Sequence, residues 1–285
     1  YLIGGSLAVS GAMTEKYLSL GGKLTLGKKV VRILVYDDKA TGVLLDDGSQ
    51  LSADYIISAA DGHSTLFDML DPKFVSTKFQ KAYASWPVFK PLVQVSFGID
   101  RVLPWTCPVR SIRTAGAKIG STAVDSGYTI MNYSFDPTMA PEGKSVLILR
   151  FESPWSVWKD LTGDAYLAEK KRIREDASAL LEKQVPGIRS FIEVTDVSTP
   201  LTEVRCTGVW KGAYEGFFPT NKTFYRSLPM TLPGLDHFYL AGQWLTPGGG
   251  LPPSALSGKW VFQLICRKEG RRFKTAQRLA VAQPA

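Results

Sequence analysis

The stretch YLAGQWLTPGGGLPPSALSG, residues 239–258, holds the residues whose types and spacing point most directly to chemistry. Gly248, Gly249 and Gly250 stand in a row between a short apolar run, Phe238 to Leu240, and a segment with Leu256, Trp260, Val261, Leu264 and Ile265 at helical spacing. The apolar run, ending in Ala241 and Gly242, predicts a central strand of a parallel sheet. Pro252 and Pro253 fit the first turn of a helix over 254–268, where a missing N–H costs nothing. A strand, a glycine turn and a helix N-terminus together make a site for an anion or an electron-rich oxygen, because free N–H groups and the positive end of the helix dipole point into it. A plain strand-to-helix turn does not need three consecutive glycines, so a ligand is expected there. Elsewhere the chemistry-bearing residues are sparse. Glu215 in GAYEG could serve as an acid or base, but the ordinary role of a Glu is a solvated ion pair, and Tyr214 is no stronger. No catalytic residue is assigned. Two histidines, His63 and His237, are too few for a histidine metal centre and make a Ser-His-Asp triad unexpected, so no metal site is predicted.

The elements that must position this turn belong to a chain of 285 residues, 45% hydrophobic and 21% charged, enough for one large or two ordinary domains with a real core. Cys107, Cys206 and Cys266 are far apart and lack CxxC spacing, which fits reduced thiols in a cytoplasmic setting. No apolar run approaches the roughly 18 residues of a membrane span, and no signal peptide is read. The chain starts at Tyr1 rather than a methionine, from which we expect it to begin inside a longer protein. Its net charge of +8 is concentrated toward the end, where Arg267, Lys268, Arg271, Arg272, Lys274 and Arg278 face only Glu269. With a single aromatic interleaved and no nucleic-acid motif, this run reads as a solvated tail, or as a contact with an anionic membrane surface, and not as a nucleic-acid site.

Three regions follow one another. Residues 6–22 predict a helix with Leu7, Met13, Tyr17, Leu18 and Leu20 near one face, stopped by Gly21-Gly22. Residues 28–60 predict two strands about an Asp-Lys turn, a turn at Asp47-Gly48, and YIISAA as a buried strand. From Gly62 to Pro233 the chain is rich in Trp, Tyr, Phe and Pro, with strands at 91–99 and 145–153. An amphipathic helix at 164–184 carries Leu167, Ile173, Ala177, Leu180 and Leu181 on one face. Most of these aromatics are expected in a core.

Four stretches carry a family resemblance: GGSLAVSGAMTEKYLSLGGKLTLGKKVVRILV, ATGVLLDDGSQLSADYIISAAD, DVSTPLTEVRCTGVWKGAYEG and FYLAGQWLTPGGGLPPSALSG. In order and content they resemble the C-terminal part of FAD-dependent phytoene desaturase-type oxidoreductases, the group that includes carotenoid desaturases, carotenoid isomerases and retinol saturase. The resemblance implies an α/β protein. Its discontinuous, Rossmann-like FAD-binding domain would comprise 1–61 and 234–285, incomplete here, with an inserted mixed α+β substrate domain at 62–233. It implies FAD as cofactor, with Val30 meeting the adenine through its backbone and Gly242 and Gln243 beside the ribityl–pyrophosphate. Gly249, Gly250 and Leu251 would offer N–H groups to the pyrimidine edge of the flavin. Many relatives have an acid where this chain has Gln243, and retinol saturase-like members share the Gln. The GxGxxG that binds the pyrophosphate in these enzymes does not occur in this sequence.

The expected function is therefore FAD-dependent oxidation or reduction of carbon–carbon bonds in a long, apolar, polyene-like substrate, with a missing N-terminal half as partner. The chain alone is expected to be inactive, and cytoplasmic or peripheral to a membrane. Two alternatives stay open: a non-catalytic remnant that binds an apolar ligand or membrane surface, and an amine-oxidase-like flavoenzyme.

Overall fold

The computed structural model describes residues 1–275 apart from 104, 106 and 115; Arg278 of the basic run lies outside the described residues. In chain order the elements are α1 (Gly5–Ser19), β1 (Val30–Tyr36), β2 (Lys39–Leu45), β3 (Gln50–Ser52), β4 (Ile56–Ser58), α2 (Gly62–Phe67), α3 (Thr77–Ser85), β5 (Leu92–Ile99), β6 (Val109–Ile112), β7 (Lys118–Ile119) and β8 (Thr122–Ala123). They continue with β9 (Tyr128–Asn132), β10 (Ser145–Glu152), α4 (Trp155–Trp158), α5 (Gly163–Gln184), β11 (Ile192–Ser198), α6 (Pro200–Thr207), β12 (Phe238–Leu240) and α7 (Leu251–Lys268). By its contacts the chain divides into two compact units, Tyr1–Lys28 with Phe89–Tyr214, and Lys29–Val88 with Glu215–Ala285.

The first unit is built on a five-stranded antiparallel sheet ordered β11-β5-β10-β9-β6. Period-two alternation sends Val93, Val95, Phe97 and Ile99 of β5 inward. Opposite them β10 contributes Leu147, Leu149 and Phe151. Helix α5 covers this core with Ile173, Ala177 and Leu181, one residue per turn on a single face. The expected helix at 164–184 is thus present, although Leu167 is exposed rather than on the buried stripe. The same face holds a carboxylate. Glu169 is fully buried and accepts from the Ser121 amide at 2.6 Å, the Ser121 hydroxyl at 2.9 Å and Arg172 at 2.5 Å, while Asp176 accepts from the Gly120 amide at 2.8 Å. These bonds clasp the β7–β8 hairpin onto α5. Gly120, at φ +55°, leaves no room for a side chain beneath Glu169.

Helix α1 falls in this first unit. Its N-cap, Gly4, donates its N–H to Asp136 at 2.9 Å, and the Tyr1 ring meets Tyr133 at 5.6 Å and Phe135 at 4.9 Å. The resemblance implies one domain from 1–61 and 234–285, whereas contacts group Tyr1–Lys28 with Phe89–Tyr214. Segments 62–88 and 215–233 likewise group with the strands of the second unit, so the contact division runs along bounds other than 61 and 234. No residue of α1 is buried, and Leu7, Met13, Tyr17, Leu18 and Leu20 are all exposed.

The second unit holds an antiparallel sheet β1-β2-β3 and a parallel pair β12-β4. Asp37 and Asp38, with φ of 50° and 54°, make the β1–β2 hairpin turn with the hand that matches strand twist. Gly48, at φ 84°, makes the expected second turn. The YIISAA segment forms a strand of three residues, and Ile57 is 47% exposed, so it is less buried than its composition predicts. Phe217 meets Tyr83, Trp86 and Trp244 edge to face with centroids 5.0–5.2 Å apart, and Tyr83 lies tilted on Trp244 at 5.6 Å, so these rings pack together in this unit. The start of the basic run is not a free tail. Lys268 pairs with Asp236, and Glu269 accepts from the Tyr55 hydroxyl, whose pKa that bond and partial burial push up to about 12.

Candidate functional site

β12 and β4 run parallel in the register Phe238↔Ile56, Tyr239↔Ile57, Leu240↔Ser58. Their carboxyl ends therefore lie side by side, the position where open α/β sheets take ligands. Both ends are made of small residues. Ala241 donates to the Ser58 carbonyl at 2.8 Å, and a Cβ on Gly242 would sit 3.5 Å from the Ala59 carbonyl. Gly242 has φ 101° and ψ −172°, a conformation open in practice to glycine alone. After it a short 3-10 turn, Gln243–Leu245, leads through Thr246 and Pro247 to the three glycines.

Each glycine has a different physical reason. Gly248, at φ 81°, donates its N–H to the Phe217 carbonyl at 2.9 Å. Gly249 has an ordinary φ, but a Cβ there would run into the Glu215 carbonyl and lie 2.9 Å from the Gln243 Cβ. Gly250, the N-cap of α7, has φ 96° and ψ −172° and faces the Glu215 carboxylate, 3.6 Å from where a Cβ would stand. The sequence attributes all three to ligand approach; the structure gives Gly249 a packing reason of its own.

The donors left over are few and adjacent. The N–H groups of Gly249, Gly250 and Leu251 meet no acceptor among the described residues. Pro252 and Pro253 have no N–H, and Ser254 donates to the Gly250 carbonyl. Helix α7 therefore keeps one first-turn donor without an acceptor, Leu251, next in the chain to the two glycines. The Gln243 amide is half-buried and also has no protein partner among the described residues.

Two serines that the sequence reading passed over hold this geometry. Buried Ser257 accepts from the Gly242 N–H at 2.7 Å and donates to the Ser254 carbonyl at 2.6 Å, while Ser254 donates to the Gly250 carbonyl at 2.7 Å. The signal was their spacing of three in the first turns of α7, which puts both hydroxyls on the face toward the turn. Below the turn, burial first and Asp61 second push the Tyr83 hydroxyl far above its ordinary pKa, so it stays neutral.

Val30 lies at the start of β1, paired with Leu45, and makes no described contact with the glycine turn. From the Lys39–Asp236 bridge β2 and β12 run in the same direction, toward Leu45 and toward Gly242. A cleft of about 860 Å³ opens along β1, walled by Arg32, Asp37, Asp38, Asp68, Asp71 and Lys73; Val30 is not part of its lining. Among the described residues no three His, Cys, Asp or Glu side chains converge as a metal site, and no helix is long and apolar enough to cross a membrane.

Comparison with known proteins fits this architecture. The family model described as flavin containing amine oxidoreductase matches residues 1–261. The chain belongs to that flavin-dependent oxidoreductase family. It is 25% identical to prolycopene isomerase 2, chloroplastic, of an Oncidium hybrid cultivar, over 90% of this chain and 44% of that protein. It is 27% identical to 4,4'-diaponeurosporene oxygenase of Staphylococcus haemolyticus, over 93% of this chain and 54% of the other. A redesigned putrescine oxidase superposes with a TM-score of 0.58 at 14% identity, over 93% of this chain and 53% of that one. The chain thus spans about half the length of the curated relatives it matches.

Proposed function

We propose that this chain is the C-terminal part of an FAD-dependent oxidoreductase that acts on carbon–carbon bonds of a long, apolar, conjugated substrate. The observation that carries the cofactor side is the set of three adjacent N–H groups, Gly249, Gly250 and Leu251, without acceptors at the N-terminus of α7 and beside the carboxyl ends of two parallel strands. The residues fit a flat, electron-rich ring edge through glycine backbone at 249 and 250 and the helix dipole behind, with the Glu215 carboxylate standing beside Gly250. Bound flavin would supply hydride transfer. The protein's own part is to hold the ring edge on these three donors and to stabilise negative charge there. Gln243 would offer its amide to the ribityl–pyrophosphate region with no added negative charge, and Val30 would meet the adenine through its backbone. The substrate class rests on the names of the relatives, a prolycopene isomerase and a diaponeurosporene oxygenase.

The test is flavin binding by this chain co-expressed with the N-terminal half of a matched relative. Leu251→Pro is the informative variant, because proline is tolerated at the first helical position and deletes one donor without straining α7. It should weaken flavin binding about tenfold, the worth of one hydrogen bond, with an unchanged thermal midpoint. Undiminished flavin content would remove the turn from the cofactor site.

A further inference from the structure

Within the second unit, the outer face of α3 and the loop at 218–229 form a surface that the cofactor turn does not use. Helix α3 buries Phe79, Ala82 and Tyr83 and sends Lys78 and Lys81 outward. The loop is tightly wound. Buried Thr223 accepts from the Thr220 amide at 2.9 Å, and the amides of Phe224 and Arg226 close onto the Thr220 and Thr223 carbonyls at 2.8 and 2.9 Å. At its exit Leu228 is buried and donates to the Leu245 carbonyl at 2.7 Å.

A loop so firmly anchored nonetheless projects its two aromatics into water. Phe224 is 60% exposed and Tyr225 94%, their rings edge to face at 5.0 Å. Beside them is a cleft of about 490 Å³ lined by Lys78, Lys81, Trp86, Tyr225 and Arg226, with no carboxylate in its wall. The sequence has no Asp or Glu between residues 72 and 99 or between 216 and 235. Lys78, Lys81, Lys222 and Arg226 enter no ion pair or side-chain hydrogen bond among the described residues. Unpaired cations around an exposed, rigid aromatic tip suit one environment: a layer of phosphates over an apolar interior.

We propose that this face docks on an anionic lipid bilayer. Phe224 and Tyr225 enter the headgroup–acyl boundary, and Lys78, Lys81 and Arg226 meet lipid phosphates along the cleft. A single-stranded nucleic acid would also answer to cations and aromatics, but successive bases need successive ring faces along a cationic groove, and here Phe224 and Tyr225 stand together at one loop tip.

The test is co-sedimentation of the full chain with phosphatidylcholine vesicles, with and without phosphatidylglycerol. Binding should require the anionic lipid and fall with rising salt. The triple variant Lys78→Glu/Lys81→Glu/Arg226→Glu should lose at least about tenfold of it, given the attraction of each cation near an anionic surface. Phe224→Ala/Tyr225→Ala should lose most of the binding that survives at high salt. Neutralising Arg271, Arg272 and Lys274 should leave most binding intact, which separates this face from the basic tail. Equal binding to neutral vesicles, full binding by the triple variant, loss on neutralising the tail alone, or tighter binding to single-stranded RNA than to the vesicles would each overturn the proposal.

Discussion

At the residue scale, the three glycines of the turn should separate in mutagenesis. Gly249→Ala drives a Cβ into the Glu215 carbonyl and toward Gln243, so the backbone must shift, and we expect a loss of about 2–3 kcal/mol in urea denaturation. Gly250→Ala meets nothing closer than 3.6 Å and should cost only about 1–2 kcal/mol, from its positive φ. Equal costs would contradict the packing role given to Gly249. Glu169 makes a second residue-scale case. Burial pushes its carboxyl up, but the bonds from Ser121 and Arg172 outweigh burial and hold it below the ordinary 4.5. A folded-state value below the unfolded one means that the clasp contributes fully above about pH 4.5 and is lost as pH falls through the depressed value. Glu169→Gln should cost about 1–2 kcal/mol at pH 7, and the gap to the parent protein should close in acid, as read from denaturation midpoints against pH. The sequence carried a sign of this residue: 169 precedes 173, 177 and 181 at steps of four, so periodicity alone placed a carboxylate on the buried face of α5.

At the element scale, β12 and α7 are joined by one hydroxyl. Ser257→Ala would orphan the Gly242 N–H in a buried setting and should cost about 1–2 kcal/mol; a change below about 0.5 kcal/mol would show that another group takes its place. Much at this scale was legible in the sequence. The apolar stretches at 91–99 and 145–153 gave β5 and β10, the Asp-Lys turn gave the β1–β2 hairpin, and the glycine run gave the start of α7. Burial was less legible, because a stripe of apolar residues says that a helix has a face without saying what covers it. Helix α1 carries such a stripe and buries nothing. Helix α7 buries only Ser257 and Val261 while Leu256, Trp260 and Phe262 remain exposed. The grouping of Tyr1–Lys28 with Phe89–Tyr214 was not readable at all, since it depends on contacts such as Gly4 with Asp136, which no local pattern encodes.

At the scale of the whole molecule, the donors at the α7 N-terminus would, in the function proposed above, address one edge of a flavin, whereas the pyrophosphate carries most of the charge on FAD and needs a glycine-rich helix start of its own. The 285 residues contain no GxGxxG. The chain expressed by itself should therefore purify colourless, and co-expression with the N-terminal half of a relative should restore flavin absorbance. A yellow, stoichiometric protein from the single chain would refute this. The parallel pairing of β4 with β12 also has a meaning in time. The two strands are roughly 180 residues apart in the chain, so at ~5–20 residues per second β4 waits roughly 10–40 s on the ribosome before its partner is made. The strands β5 to β11 are all synthesised within that interval and can close their own sheet. The glycine turn would then form after the five-stranded sheet, with Ile56–Ser58 unpaired by β12 in the meantime.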